Sequence, residues 1–260
     1  MPVTKFIDNV NDIDNAGACF IDNIFKEPTH PFQNFKDGLY NRKDCKIILK
    51  RMEVLEHGEL KKQAVNGIVL HQTNGETAMS TLGRYHADDL GNKIVANLFG
   101  KKAREGIGAH FLISPSGMIY QTARIDKICY HVGPYINSLC QKKNFCEKKQ
   151  ADLYKNIVND PKLDKEGKWK AITDIEKSKP GHERYPKNDD SIGIETVGMP
   201  PDGVHYPRAS AEQMTSLKWL LDLLVQYFGL KLDRVFAHGE ISPHKQSSEG
   251  MHITREIRGN

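Results

Sequence analysis

The 260-residue chain has no apolar run near the roughly 18 residues that a membrane-spanning helix needs. Its first residues, Met-Pro-Val-Thr-Lys-Phe-Ile-Asp-Asn-Val-Asn-Asp, lack the apolar stretch that a secretory signal peptide carries. The expectation is a protein made in the cytosol that needs another route if it works outside. Cysteine is scarce: Cys19, Cys45, Cys129, Cys140 and Cys146 form an odd set without CxxC spacing. That argues against a structural zinc knuckle and a disulfide-framework fold. Cys140 and Cys146 are close enough to bridge in an oxidising compartment, although free thiols are the commoner state. Charge of one sign is lacking too. The 37 basic and 33 acidic residues are mixed and leave a net charge of only +4. A nucleic-acid binder would show a concentrated basic face. A weakly basic chain is still drawn to an anionic polymer such as a cell wall.

What is present, 38% hydrophobic and 27% charged residues, suits a soluble globular protein with a substantial core. Residues 1 to about 45 are rich in Asn and Asp and show no sustained period, so they read as an irregular arm. The apolar residues from Lys46 to Glu56 fit either one helix or a strand pair. From Asn66 to Thr73 a turn signal, three apolar residues and a polar end predict a short buried strand that exposes His71 near its tip. A helix follows over Thr77–Leu90, with Gly91 as its terminator. Gly106 to Gln121 reads as a hairpin turning at Ser-Pro-Ser-Gly117. Ile128–Gly133 is a short apolar piece containing His131. Residues from about 134 to 189 are Lys-rich and poor in apolar clusters, as expected of a surface insertion with short helices.

The core pattern returns at Ser191–Gly198, where Glu195 lies among strand residues and needs a partner if buried. Ser210 and Gln213 make a capping box at the start of the best amphipathic helix, which ends at Gly229. A short connection leads to the strand Val235-Phe-Ala and a polar loop carrying His238, His244, Lys245 and Glu249. Strands alternating with helices predict an α/β layer fold with a mixed sheet. Zinc takes His nitrogens and a carboxylate oxygen. If the strands ending in His71 and His238 are neighbours, these two histidines and Glu249 converge on one ion. His110 is expected to be a strand histidine satisfied by its neighbours.

The motifs His71-Gln-Thr, Gly108-Ala-His-Phe-Leu-Ile, Gly117-x-Ile-Tyr-Gln, Tyr130-His-Val-Gly, Ser191-Ile-Gly-Ile-Glu and His238 followed by Lys245 occur in this order. Together they resemble the zinc-dependent N-acetylmuramoyl-L-alanine amidase family, which is related to peptidoglycan recognition proteins and amidase-type phage lysozymes. The resemblance runs from about Gly67 to His252. It is strongest to a branch with two cysteines in a long insert that ends like Arg184-Tyr-Pro-Lys-Asn-Asp-Asp-Ser-Ile-Gly-Ile-Glu195. That branch includes antibacterial effectors of contractile (type VI) secretion systems.

The resemblance implies a single domain with a central mixed β-sheet flanked by helices. Residues 1–60 would be an N-terminal extension, and 61–260 the amidase domain with its insertion at about 134–189. It implies one zinc ion on His71 and His238. The commoner third ligand, an Asp or Cys two residues after the lysine, is replaced here by Ser247. The effector-like spacing points to Glu249 instead, with His244 and His252 as competitors. Glu195 and Lys245 match the catalytic pair, and His131, Thr73 and Ala109 fall at substrate-contacting positions. Many relatives have a catalytic Tyr where Ala109 stands, which leaves the acid–base task to Glu195. The implied substrate is peptidoglycan, hydrolysed at the lactyl–L-alanine amide, with action in the periplasm of a target cell. An immunity protein and a secretion-system component are the partners such an effector would have. A peptidoglycan-binding module without catalysis and a phage-type endolysin are the alternatives. A metal-free hydrolase built on Cys129 and His131 is disfavoured, because residues two apart on a strand do not reach relay geometry.

Overall fold

The computed structural model of the protein describes residues 34–40, 46–99 and 105–259. Most of the arm expected over residues 1–45, with Cys19 and Cys45, lies outside them. A six-stranded mixed sheet runs through the described residues. Its strands are β3 (Ile47–Leu49), β4 (Gly67–Gln72), β5 (Phe111–Ile113), β6 (Ile119–Gln121), β7 (Ser191–Thr196) and β8 (Val235–Ala237), in the order β3-β6-β5-β7-β4-β8. Only the β5–β6 hairpin is antiparallel; the other four pairs are parallel. A small ribbon, β1 (Phe35–Lys36) with β2 (Leu39–Tyr40), precedes it.

The helices are α1 (Ala78–Phe99), α2 (Leu139–Lys143), α3 (Lys148–Asn159), α4 (Lys165–Lys177), α5 (Ala211–Phe228), α6 (His238–Ile241) and α7 (Met251–Arg258). Strand alternation assigns the two faces of the sheet. One face carries Ile68, Leu70, Ile192, Ile194, Phe111 and Ile113, which pack with Leu217, Leu220, Leu221 and Leu224 of α5. That helix begins at the capping box between Ser210 and Gln213 and stops at Gly229, as its sequence dictates. The opposite face is covered in two places. Ala78 and Leu82 of α1 pack on Leu112 and Tyr120, while Ile136, Leu139 and Tyr185 of the insertion pack on Val69 and Phe236. The C-terminal ends of β7, β4 and β8 lie between these covers.

Three local expectations are corrected. The helix after β4 runs on through Gly91, beside which a Cβ would meet nothing within 4 Å. An exposed mid-helix glycine weakens a helix by only about 1 kcal/mol, so it does not stop this one. Residues 46–56 form neither a helix nor a strand pair but the single strand β3 followed by a 3-10 turn at Glu53–Leu55. The stretch after β8 begins as a helical turn, α6, before it becomes a loop. The insertion carries α2, α3 and α4, and Cys140 and Cys146 form a disulfide across α2.

Candidate metal centre and catalytic groups

Parallel pairing sets His71 of β4 directly across from Glu195 of β7. In β8, Phe236 pairs with Val69, so the next residue on the same face is His238. Glu195, His71 and His238 therefore stand in a row across three strands at their C-terminal ends, where open α/β sheets usually hold ligands. Glu249 reaches the row from the loop after α6. Gly250 makes this approach workable: its φ is +74°, and a Cβ there would lie 2.4 Å from the Leu70 carbonyl oxygen. A glycine at this position lets the loop lie against the backbone of β4.

The hydrogen-bond partners constrain where the imidazole protons sit. His238 Nε2 lies 3.0 Å from the Val132 carbonyl, which can only accept, so Nε2 carries a proton and Nδ1 is the nitrogen turned toward Glu249. The hydroxyl of Ser191 donates to the Lys187 carbonyl and therefore accepts from His131 Nε2 at 3.2 Å. His131 is buried, and burial followed by the neighbouring histidines holds it neutral, well below the ordinary histidine range. Its Nδ1 then accepts from His71 Nε2 at 3.0 Å. Burial, helped by His238, pushes His71 down to about 4, so it too is neutral with its lone pair on Nδ1.

The two Nδ1 atoms face each other at 2.9 Å, and Glu249 Oε1 lies 2.7 Å from that of His238 and 3.5 Å from that of His71. Two imidazole nitrogens and a carboxylate oxygen thus converge, a donor set that could hold a metal ion. Their spacing suits a zinc-sized ion, for which ligands at ~2.0–2.1 Å in a tetrahedron sit about 3.3 Å apart. These three form the one His/Cys/Asp/Glu group among the described residues with metal-ligand spacing. Of the competing ligands, His244 instead borders Tyr135 and Trp169, and His252 lies exposed on α7.

Burial, then the charge of Glu249, raises Glu195 from 4.5 to about 8, and its Oε2 is buried without a hydrogen-bond partner. A carboxyl with that value exchanges protons near neutral pH. Lys245 Nζ lies 4.0 Å from Glu249 Oε2, and its side chain is 41% exposed. All of these groups line a cavity of about 830 Å³, together with Thr73, Arg84, Tyr85 and Tyr206.

The remaining residues named from sequence fall as follows. Thr73 Oγ1 donates to the Gly75 carbonyl and accepts from the Gly198 N–H. Ala109 is buried at 1% exposure. His131 has both ring nitrogens engaged, by His71 and Ser191. His110 is satisfied by the Lys127 carbonyl and the Gly193 N–H. Burial raises the Cys129 thiol, which disfavours a thiolate nucleophile. Sequence reasoning missed Arg84, Tyr85 and Tyr206, which sit on elements without a motif. It also missed Ser191 and Asn188, although both lie inside the Arg184–Glu195 motif.

The sequence model of the N-acetylmuramoyl-L-alanine amidase family matches residues 61–250. No curated protein matches the chain by sequence. Among solved structures the chain is similar to a selenomethionine derivative of AmpD, at 16% identity and a TM-score of 0.47, covering 85% of this chain and 97% of that one. It is also similar to AmpDh3 from Pseudomonas aeruginosa, at 17% identity and 0.43, over 75% and 59% of the two chains. For the hydrolase AmiA of Staphylococcus aureus, solved with its ligand, the values are 13% and 0.43, over 94% and 88%.

Proposed function

The chain belongs to the N-acetylmuramoyl-L-alanine amidase family, and from that premise we propose that it is a zinc-dependent hydrolase of the amide between the lactyl group of N-acetylmuramic acid and L-alanine. The observation that carries this reading is the convergence of three possible metal-ligating atoms, His71 Nδ1, His238 Nδ1 and Glu249 Oε1, one strand away from an acid poised near neutrality. A zinc ion held there supplies a water acidified toward ~7 and a polarised carbonyl.

The protein's own groups do the rest. Glu195 accepts a proton at its unpartnered oxygen and returns it to the departing amine of L-alanine. Lys245, exposed at the cavity edge, donates to the oxygen on which charge develops. His131 holds His71 in place and has no free nitrogen to offer a substrate. Thr73 lines the cavity, whereas Ala109 is buried away from it. For the biological setting, the Arg184–Glu195 segment and the disulfide-bearing insertion support an antibacterial effector delivered to the periplasm of a target cell. That setting brings an immunity protein and a secretion-system component as partners.

The test uses purified zinc-loaded protein and Gram-negative sacculi, with products read by mass spectrometry. Free stem peptides should appear, a chelator should abolish their release, and added zinc should restore it. Intact muropeptides after prolonged digestion would refute the hydrolase reading and leave a peptidoglycan-binding module.

A further inference from the structure

One dipeptide outside the donor set touches both of its histidines. His131 fixes His71 through its ring, and Val132 fixes His238 through its carbonyl. This dipeptide lies on no strand, so its backbone N–H groups must find partners elsewhere. Both go to a single atom. Asn188 Oδ1 accepts from His131 N at 3.0 Å and from Val132 N at 2.7 Å.

Asn188 stands at the far end of the insertion, in a turn that is itself locked. Asp190 Oδ1 accepts from Lys187 N at 2.5 Å, and Asp190 Oδ2 pairs with Arg184 at 2.6 Å in a buried salt bridge. The Asp190 carbonyl accepts from Asn66 N at 2.7 Å, which ties the turn to the start of β4. The Lys187 carbonyl takes the hydroxyl proton of Ser191, the group that orients the His131 ring. The exit of the insertion therefore clamps its entrance.

We infer that Asn188 is a positioning residue for the metal centre, and that through it the insertion dictates which nitrogen of His71 and of His238 is free to bind metal. The metal half of this inference rests on the zinc reading above; the proton half does not. Without the Asn188 oxygen, two N–H groups lose their acceptor and the dipeptide is no longer held against either imidazole. Each histidine can then carry its proton on Nδ1, the nitrogen that must be bare. Loss of such an outer partner typically lowers metal affinity ~10–100-fold.

The full chain is compared as wild type, Asn188→Ala and Asn188→Asp. Asp keeps an oxygen for both N–H groups; Ala keeps none. Zinc affinity is measured by chelator competition, and the histidine tautomers of metal-free protein by long-range 1H–15N NMR. Asn188→Ala should lose about 10–100-fold in zinc affinity and mix the tautomers of both histidines, while Asn188→Asp restores both readouts. If Asn188→Ala fails to fold, Ser191→Ala replaces it and should disturb His71 while sparing His238. Unchanged tautomers in the Ala variants would overturn the inference, as would equal losses in Asn188→Ala and Asn188→Asp. A wild-type chain that shows the Nε2–H tautomers yet binds no zinc would sink the metal reading and leave the clamp standing.

Discussion

Replacing Glu195 with Gln exchanges a buried carboxyl for a neutral amide of nearly the same shape, and its effect on stability should depend on pH. In the folded protein, burial and the charge of Glu249 raise this carboxyl from 4.5 to about 8. Between those values the native state holds a proton that the unfolded chain has released. Stability therefore falls as pH rises from 4.5 to about 8, and this contribution is constant outside that window. The full shift corresponds to about 5 kcal/mol. Part of the side chain faces the cavity, so roughly half of this is expected, on the order of 2 kcal/mol or ~4–8 °C in Tm. Gln escapes the penalty. Chelator-treated Glu195→Gln should melt above wild type at about pH 8.5 and differ little from it at about pH 5. His71 and His110, both pushed down to about 4 first by burial, charge in acid in either protein and cancel from the comparison. The same variant should lose ~10²–10⁴-fold in hydrolysis, because the proton acceptor is gone. A melting difference independent of pH, or a lower Tm for the variant in alkali, would refute the assignment of Glu195 as a neutral buried acid.

Two further outcomes follow from the geometry. A Cβ on Gly193 would lie 2.8 Å from His131 Cγ and 3.1 Å from Ala109 Cβ, so Gly193→Ala should destabilise the fold by about 1–3 kcal/mol and weaken zinc binding, as read by thermal melts and chelator competition. Lys245→Ala, which removes a side chain 41% exposed, should leave the melting temperature unchanged, yet lower kcat by about 10²–10³-fold in a muropeptide assay.

The elements legible in the sequence were those with strong local rules. The capping box at Ser210, the stripe of α5, the Ser-Pro-Ser-Gly turn and the apolar runs around Ile68, Ile192 and Val235 all lie where their patterns put them. The extent of α1 was not legible, because exposure rather than residue type decides what Gly91 costs. The chemical residue types of the site could be read from motifs. That β4 lies between β7 and β8, and so brings His71 beside both Glu195 and His238, is a fact of long-range pairing that no local rule carries. Asn188 was invisible for a related reason. Its importance lies in two backbone N–H groups more than fifty residues away, not in its own chemistry.

The insertion leaves the domain at His131 and returns at Asn188, and those ends are bonded to one another. As connectivity, the helical excursion is a closed appendix. The sheet meets a ring of fixed circumference, whatever length of thread hangs beyond it. Lengthening such a thread costs only ~0.6 kcal/mol per doubling. The exposed tip between α3 and α4, around Pro161 and Lys162, is therefore where this chain can be cut, extended or joined to another protein. The root is the opposite: a graft there would have to preserve a knot of hydrogen bonds that begins with one asparagine oxygen.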